Sequence, residues 1–194
     1  LRVATESIFS GMNNLKTNPI GLDAVIDEIQ KKMYALKDTW NIYLEGYHRC
    51  YILNKDGGQT LEAYLENDEY SKSLTFAEDN KFFFVCPNDI EYVYPRYYKT
   101  NIELYFIVNV TECKPNLLHR ADEEVRNDVI NLNEKITSVK VVRILWQVDK
   151  VFNRFRNKQS RSFDFDNISD LHPYHSFKIE LEVLPYNINK QSCN

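Results

Sequence analysis

The sequence predicts an α+β fold: an antiparallel sheet covered on one face by two to three helices, with extended arm or loop insertions. Three observations predict it. Asn101 to Thr111 alternates, with Ile102, Leu104, Phe106, Val108 and Val110 on one face. Asn101, Glu103, Tyr105, Asn109 and Thr111 fall on the other, with Ile107 the only large aliphatic among them. A period of two marks a half-buried strand. Leu22 to Lys37 sets Leu22, Val25, Ile26, Ile29, Met33 and Leu36 on one helical stripe. The elements then run in the order helix, several strands, long helical run, final strand. A one-faced strand and a one-striped helix bury each other.

Taken in order, residues 1–21 read as a polar N-terminal arm without a clean period. Its apolar side chains Val3, Ile8, Phe9 and Met12 suit packing on a neighbour. The chain begins at Leu1 rather than Met, so a natural start is expected upstream. The helix over 22–37 has Asp23, Asp27 and Glu28 early and Lys31, Lys32 and Lys37 late, which complements its dipole. Trp40 to Leu53 reads as a strand with Ile42, Leu44 and Ile52 on one face and Tyr43, Tyr47 and Tyr51 on the other. Asn54 to Gly58 is a turn, since Asp-Gly and Gly-Gly admit positive φ. An acidic insertion near 59–79 follows, compatible with a short helix or a long hairpin arm. Lys81 to Cys86, Ile90 to Tyr94 and Ile102 to Cys113 read as strands. The first two are closed by Pro87 and Pro95.

Asp122 to Ile136 reads as a helix, with acidic residues first and Val125, Val129, Leu132 and Ile136 as its stripe. Past Ser138 the stripe changes phase, and two helices or one bent helix both fit. The β-branched run Val139 to Val142 leaves a short strand open. The steps of four and three through Val141, Leu145, Val148, Phe152 and Phe155 favour helix. On that reading Leu145 and Phe152 pack against Phe106. Asn157 to Tyr174 is a polar loop, and Ser176 to Leu184 is the closing strand. Residues 22–186 thus form a single α+β domain, with 187–194 as a C-terminal tail.

Charge and aromatics carry most of the functional information. Net charge is −4, which excludes a generic nucleic-acid binder. The distribution is uneven. Glu62 to Asp79 is acidic. Lys140 to Arg161 carries Lys140, Arg143, Lys150, Arg154, Arg156, Lys158 and Arg161 against Asp149 alone. Arg154, Arg156, Lys158 and Arg161 are candidate contacts to DNA phosphates or to an adjacent ring, by charge and without base reading. The chain has 13 Tyr, a residue enriched at interfaces for its apolar face and polar tip. Tyr43, Tyr47, Tyr51, Tyr94 and Tyr97 are candidate subunit-interface residues, beside Tyr92 and Tyr98. The four cysteines form no C-x-x-C pair, and Cys50, Cys86 and Cys113 sit in or beside apolar strands, where free thiols are common.

Catalytic chemistry finds little support. Asp164, Asp166, Asp170, His172 and His175 are of the types that bind divalent metals. An EF-hand loop, however, needs Gly and Glu where Ser169 and His175 stand, and no second rigid element offers zinc ligands. His48 and His119 lie apart from any nucleophile pattern, and no phosphate-binding glycine loop or metalloprotease motif occurs. No enzyme activity, metal or cofactor is expected. Asn109-Val-Thr and Asn167-Ile-Ser match glycosylation sequons, with no sign of secretion beside them. The longest apolar run, around Leu104 to Val108, is far too short to span a bilayer.

The order of segments resembles a known family. An amphipathic first helix (Ala24-Val-Ile-Asp-Glu-Ile-Gln-Lys-Lys) leads into a meander ending in Ile102-Glu-Leu-Tyr-Phe-Ile-Val-Asn-Val. A long helix with Val148-Asp-Lys-Val-Phe-Asn-Arg-Phe follows. A variable loop then leads to His175-Ser-Phe-Lys-Ile-Glu-Leu-Glu-Val. Over about Leu22 to Tyr186 this resembles the tail-terminator and tail-completion proteins of tailed bacteriophages, ring components of the head–tail junction. The segment 59–79 departs from that pattern. The resemblance implies a structural virion protein of the neck or tail, assembled in the host cytoplasm. Copies would form a closed ring, bound to adjacent neck and tail proteins, with DNA passing transiently through the bore and no membrane contact. The alternatives are a small cellular ligand-binding or regulatory module with a pocket between helices and sheet, or a metal-dependent hydrolase using the Asp164 to His175 loop.

Overall fold

The first helical stripe folds as its pattern predicts, but it breaks at Ala35 into α1 (Leu22–Tyr34) and α2 (Leu36–Trp40). Gly21, in the left-handed region at φ 58°, starts α1. The indole N–H of Trp40 donates to Asp128 Oδ2 at 2.7 Å, so Trp40 ends a helix and does not open the next strand. The computed structural model describes residues 12–55, 58–65, 69–74, 79–86, 91–93, 97–147, 151 and 172–186.

Among these residues the strands are β1 (Asn13–Asn14), β2 (Glu45–Lys55), β3 (Gly58–Leu65), β4 (Glu69–Ser73), β5 (Lys81–Val85), β6 (Glu91–Val93), β7 (Tyr97–Asn109), β8 (Val139–Leu145) and β9 (Tyr174–Tyr186). A short α3 (Val110–Cys113) follows β7 directly, and α4 spans Asp122–Asn133. The sheet order is β4-β3-β2-β5-β7-β9-β8, with β1 beside β2 and β6 beside β7. The architecture is α+β, with its helices packed on the sheet.

The sheet is mixed where the sequence predicts an antiparallel one. β2 runs parallel to β1 and β5, and the remaining pairs are antiparallel. The acidic insertion explains this. Its residues form the β3–β4 hairpin outside β2, and the chain returns to enter β5 on the other side of β2. A parallel pair needs such a long connection, supplied here by strands instead of a helix.

One face packs against the helices. Phe82, Phe84, Leu104, Phe106, Phe177 and Ile179 meet Ile26, Ile29, Met33, Val125 and Val129 there, all buried. Paired positions Phe82, Phe106 and Phe177 stack across β5, β7 and β9 at centroid spacings of 5.4 and 5.1 Å. These side chains fill the interface between helices and sheet.

The helical reading of 139–145 is corrected: this segment is β8, paired with β9. Val141 and Leu145 are four apart, but a bulge after Val141 sets them on opposite faces of β8, so they form no stripe. The β-branched residues decide it, because Val139 and Val141 fit the pleat against Val183 and Leu181. Leu145 pairs with Lys178, so it lies on the face opposite Phe106. Val148, Phe152 and Phe155 lie outside the described residues. β7 also ends earlier than predicted. The Asn109 side chain accepts from the N–H groups of Thr111 and Glu112 and caps α3, and this buried sequon asparagine is an internal partner.

Candidate functional site

The second face of the sheet, predicted to be polar and half-exposed, is buried through its middle. Tyr105 and Ile107 are 0% exposed and Glu103 is 3%. Register brings charges together there. Glu103 pairs with Glu180 and Tyr105 with Lys178 between β7 and β9, and Arg143 of β8 pairs with Glu180. Lys178 Nζ donates to Glu103 Oε1 at 2.8 Å, and Tyr105 donates its hydroxyl to Glu103 Oε2 at 2.6 Å. Lys178 also lies 3.5 Å from Glu180 Oε1 and 5.6 Å from the Tyr105 ring centre. Arg143 grips Glu180 with two donors at 2.5 and 3.0 Å. Buried charges persist only when partnered. This ladder fixes the register of three strands and spends its charges internally. Phe83, stacked on Tyr105 at 5.0 Å, and Val85 close it on the β5 side.

The predicted interface tyrosines do not share one face. β2 pairs with β5 at Gly46–Phe82 and again at Arg49–Phe84, so three residues of β2 span two of β5. The bulge turns both His48 and Arg49 toward α1. His48 Nε2 lies 3.2 Å from the Asp23 carbonyl, and Arg49 Nη2 lies 3.4 Å from Asp23 Oδ1. Burial pushes the His48 imidazole below its usual range, against the pull of Asp23. Before the bulge, Tyr47 points into the second core and is 1% exposed. Past it, Tyr51 lies with Arg49, whose guanidinium sits 5.1 Å from its ring centre. Tyr43 is half-buried and donates to Glu45 Oε1 at 3.1 Å, while Tyr47 donates to the other oxygen of Glu45. Burial, and then Glu45, raises the Tyr47 hydroxyl pKa far above its ordinary value. Tyr97 pairs with Val93 at the start of β7. Tyr94 and the basic set Arg154, Arg156, Lys158 and Arg161 lie outside the described residues, as does most of the Asp164 to His175 loop.

His175, at the end of that loop, is 5% exposed. Arg126 Nη1 donates to its Nε2 at 2.9 Å, an arrangement that requires a lone pair and hence a neutral ring. Its Nδ1 is 3.6 Å from Asp122 Oδ2. Burial lowers its pKa to about 4, opposed by Asp122 and reinforced by Arg126. Arg126 also covers the Trp146 ring, at 4.9 Å from its centre. Among the described residues no three His, Cys, Asp or Glu side chains converge as a metal site. Burial also raises the thiol pKa of Cys86 to about 11 and of Cys113 to about 12, which suppresses their nucleophilic form.

Two surface features went unseen in the sequence. An open groove of about 530 Å³ runs along the connection from α3 to α4, lined by Val110, Lys114, Leu118, His119, Arg120 and His172. Lys114, His119 and Arg120 each face a carboxylate, of Asp128, Glu124 and Asp122 respectively, so the groove is not a strong anion site. The other feature is the β8 end of the sheet, where Val142, Trp146 and Leu184 are 54%, 53% and 40% exposed. No described helix is long and apolar enough to cross a membrane. No family model, curated protein or solved structure matches the chain.

Proposed function

We propose that this chain is a structural ring subunit of the head–tail junction of a tailed bacteriophage, joining or terminating the tail while letting DNA pass. One observation carries the reading beyond the order of segments. Large apolar side chains stand exposed on two different strands: Val142 of β8, with Trp146 just beyond its end, and Tyr51 and Ile52 of β2. A head-to-tail contact that closes into a ring needs two different patches per copy, and exposed apolar clusters mark association sites. In this reading the basic run ending in Arg154, Arg156, Lys158 and Arg161 supplies a weak, sequence-blind, salt-sensitive contact to DNA in the bore, and neighbouring neck and tail proteins flank the ring. Native mass measurement of the protein, alone and with neck or tail extracts, is expected to find a closed multimer in at least one setting. A strict monomer that never enters virions would overturn the proposal.

A second reading, a small ligand-binding module, draws on the groove beside α3, whose volume suits a small molecule. Leu118 side-chain truncation would then abolish binding of an apolar ligand and leave the oligomeric state unchanged.

A further inference from the structure

We infer that Arg126, His175 and Trp146 form an acid-operated latch: a proton taken up at His175 Nε2 ejects the Arg126 guanidinium, which uncovers the Trp146 ring just beyond β8. The inference goes beyond the ring reading and does not depend on it.

The shut state follows from which group donates. A guanidinium has donors only, so Arg126 Nη1, 2.9 Å from His175 Nε2, makes that nitrogen an acceptor. The ring is therefore neutral, and its one proton sits on Nδ1, the nitrogen 3.6 Å from Asp122 Oδ2. The same guanidinium lies 4.9 Å from the centre of the Trp146 ring. The Arg126 side chain is 13% exposed and Trp146 is 53% exposed. One cation thus caps a buried imidazole and covers one side of an exposed indole.

A proton at Nε2 reverses the first of these contacts. It takes the lone pair that Arg126 uses and sets two donors, both positively charged, against each other across 2.9 Å. The charges around His175 decide which side moves. α4 presents Asp122 and Arg126, and the segment before it presents Arg120, 2.6 Å from Asp122 Oδ2. β7 brings Val108 into register, and β9 brings Phe177, stacked at 5.4 Å; neither carries charge. The imidazolium keeps Asp122 on its Nδ1 side, and its backbone stays paired with β7. Arg126 has another carboxylate at hand. Glu123 lies 3.9 Å from its Nη2 and is 84% exposed, which gives the guanidinium a way out toward water. Burial lowers the His175 pKa to about 4, against the pull of Asp122 and with the help of Arg126 and Arg120. The latch is therefore shut at neutral pH and opens on acidification. Opening adds to the exposed apolar surface, the kind of surface that marks association sites.

Two measurements on the full chain test the latch. In nitrogen-15 NMR at pH 7, the His175 ring, identified by its loss in His175→Gln, should show a protonated Nδ1 and a bare Nε2. The opposite tautomer would overturn the inference. Acrylamide quenching of Trp146, read as the parent signal minus that of Trp146→Phe, reports the cover. It should rise about 1.5-fold from pH 7 to about pH 4, where half the imidazoles carry the proton, with the far-ultraviolet circular dichroism unchanged. Arg126→Ala should show the open value already at pH 7, at most about twofold above the parent because the ring is 53% exposed to begin with, and no acid step. His175→Gln, whose amide oxygen still accepts from Arg126 but takes up no proton, should stay shut at both pH values. Unchanged quenching in Arg126→Ala would show that Arg126 covers nothing. An acid step retained in His175→Gln would place the trigger elsewhere. Unfolding of the parent before any separate step would show that the contact does not open by itself. Each of these three results overturns the latch.

Discussion

Adjacent rows of the same three strands show two ways to fill an interior. Phe82, Phe106 and Phe177 stack on the helix face. One register step away, Phe83, Tyr105 and Lys178 line the opposite face, with Glu103 and Glu180 in the next row. Burial is the same, since Phe106 and Tyr105 are both 0% exposed. The helix face is held by contact area and shape, which many apolar residues of the right volume satisfy. The second face is held by directional donors and acceptors, which tolerate only the matching register. A polar alternation in sequence therefore need not mean a solvent face; it also describes a buried face whose charges pair across strands.

The largest expected effects set the two faces against each other. Phe106→Ala should cost about 3–5 kcal/mol in chemical denaturation, through lost transfer energy and a cavity. Lys178→Met should cost a similar amount, about 3–5 kcal/mol, because Glu103 is left charged and buried without its partner. The rescue differs. Adding Glu103→Leu to Lys178→Met should recover most of the loss, as apolar replacement of buried ion pairs does, while no charge change repairs Phe106→Ala. A Lys178→Met cost below about 1 kcal/mol, the size of a surface substitution, would erase the distinction.

Acidification probes the helix face at the start of β9, where His175 stacks on Phe177. The His175 pKa is about 4 in the fold against an ordinary 6.5. Between those values the unfolded chain binds more protons, so the stability present above pH 6.5 is lost as pH falls toward 4. The contribution amounts to at most about 3 kcal/mol. Comparing urea midpoints at pH 7 and 4.5, His175→Gln should lose distinctly less than the parent.

A smaller effect is expected where β1, β2 and β5 crowd the helix face. A Cβ at Gly46 would come within 2.6 Å of Phe82 Cζ and 2.9 Å of Asn13 Oδ1. Gly46→Ala should therefore cost about 1–3 kcal/mol by overpacking, read as a lowered melting temperature. The smallest effect belongs to Tyr51. Its contact with Arg49 is partly exposed, so Tyr51→Ala should change monomer stability by about 0.5–1 kcal/mol, whatever it does to assembly.

Much of the fold was legible in residue order. The α1 stripe, the acidic start of α4 and the strands β5 and β9 were read at nearly their observed positions, because each depends on a short-range pattern, whereas β7, read over 102–113, runs from Tyr97 to Asn109. The helical reading of 139–145 failed because its β-branched run admits helix and strand, and the bulge after Val141 sets Val141 and Leu145 on opposite faces. Pairing with Val183 and Leu181, some forty residues away, decides between them. The tyrosine face of β2 failed for a related reason. One slipped residue between Gly46 and Arg49 separates Tyr47 from Tyr51, and a bulge leaves no mark in the spacing of side chains.

The sequence by itself determined which segments are periodic, which stripes are apolar and where acidic and basic runs lie, since these follow from backbone geometry and composition over a few residues. Tertiary structure alone decided that β5 enters parallel to β2, that Glu103 and Lys178 become a buried pair, and that the acidic hairpin and β8 end up at opposite edges. The physical reason is common to all three. Strand neighbours are chosen by hydrogen bonds between distant segments, so the partner of an edge, or of a charge, is a property of the assembled sheet.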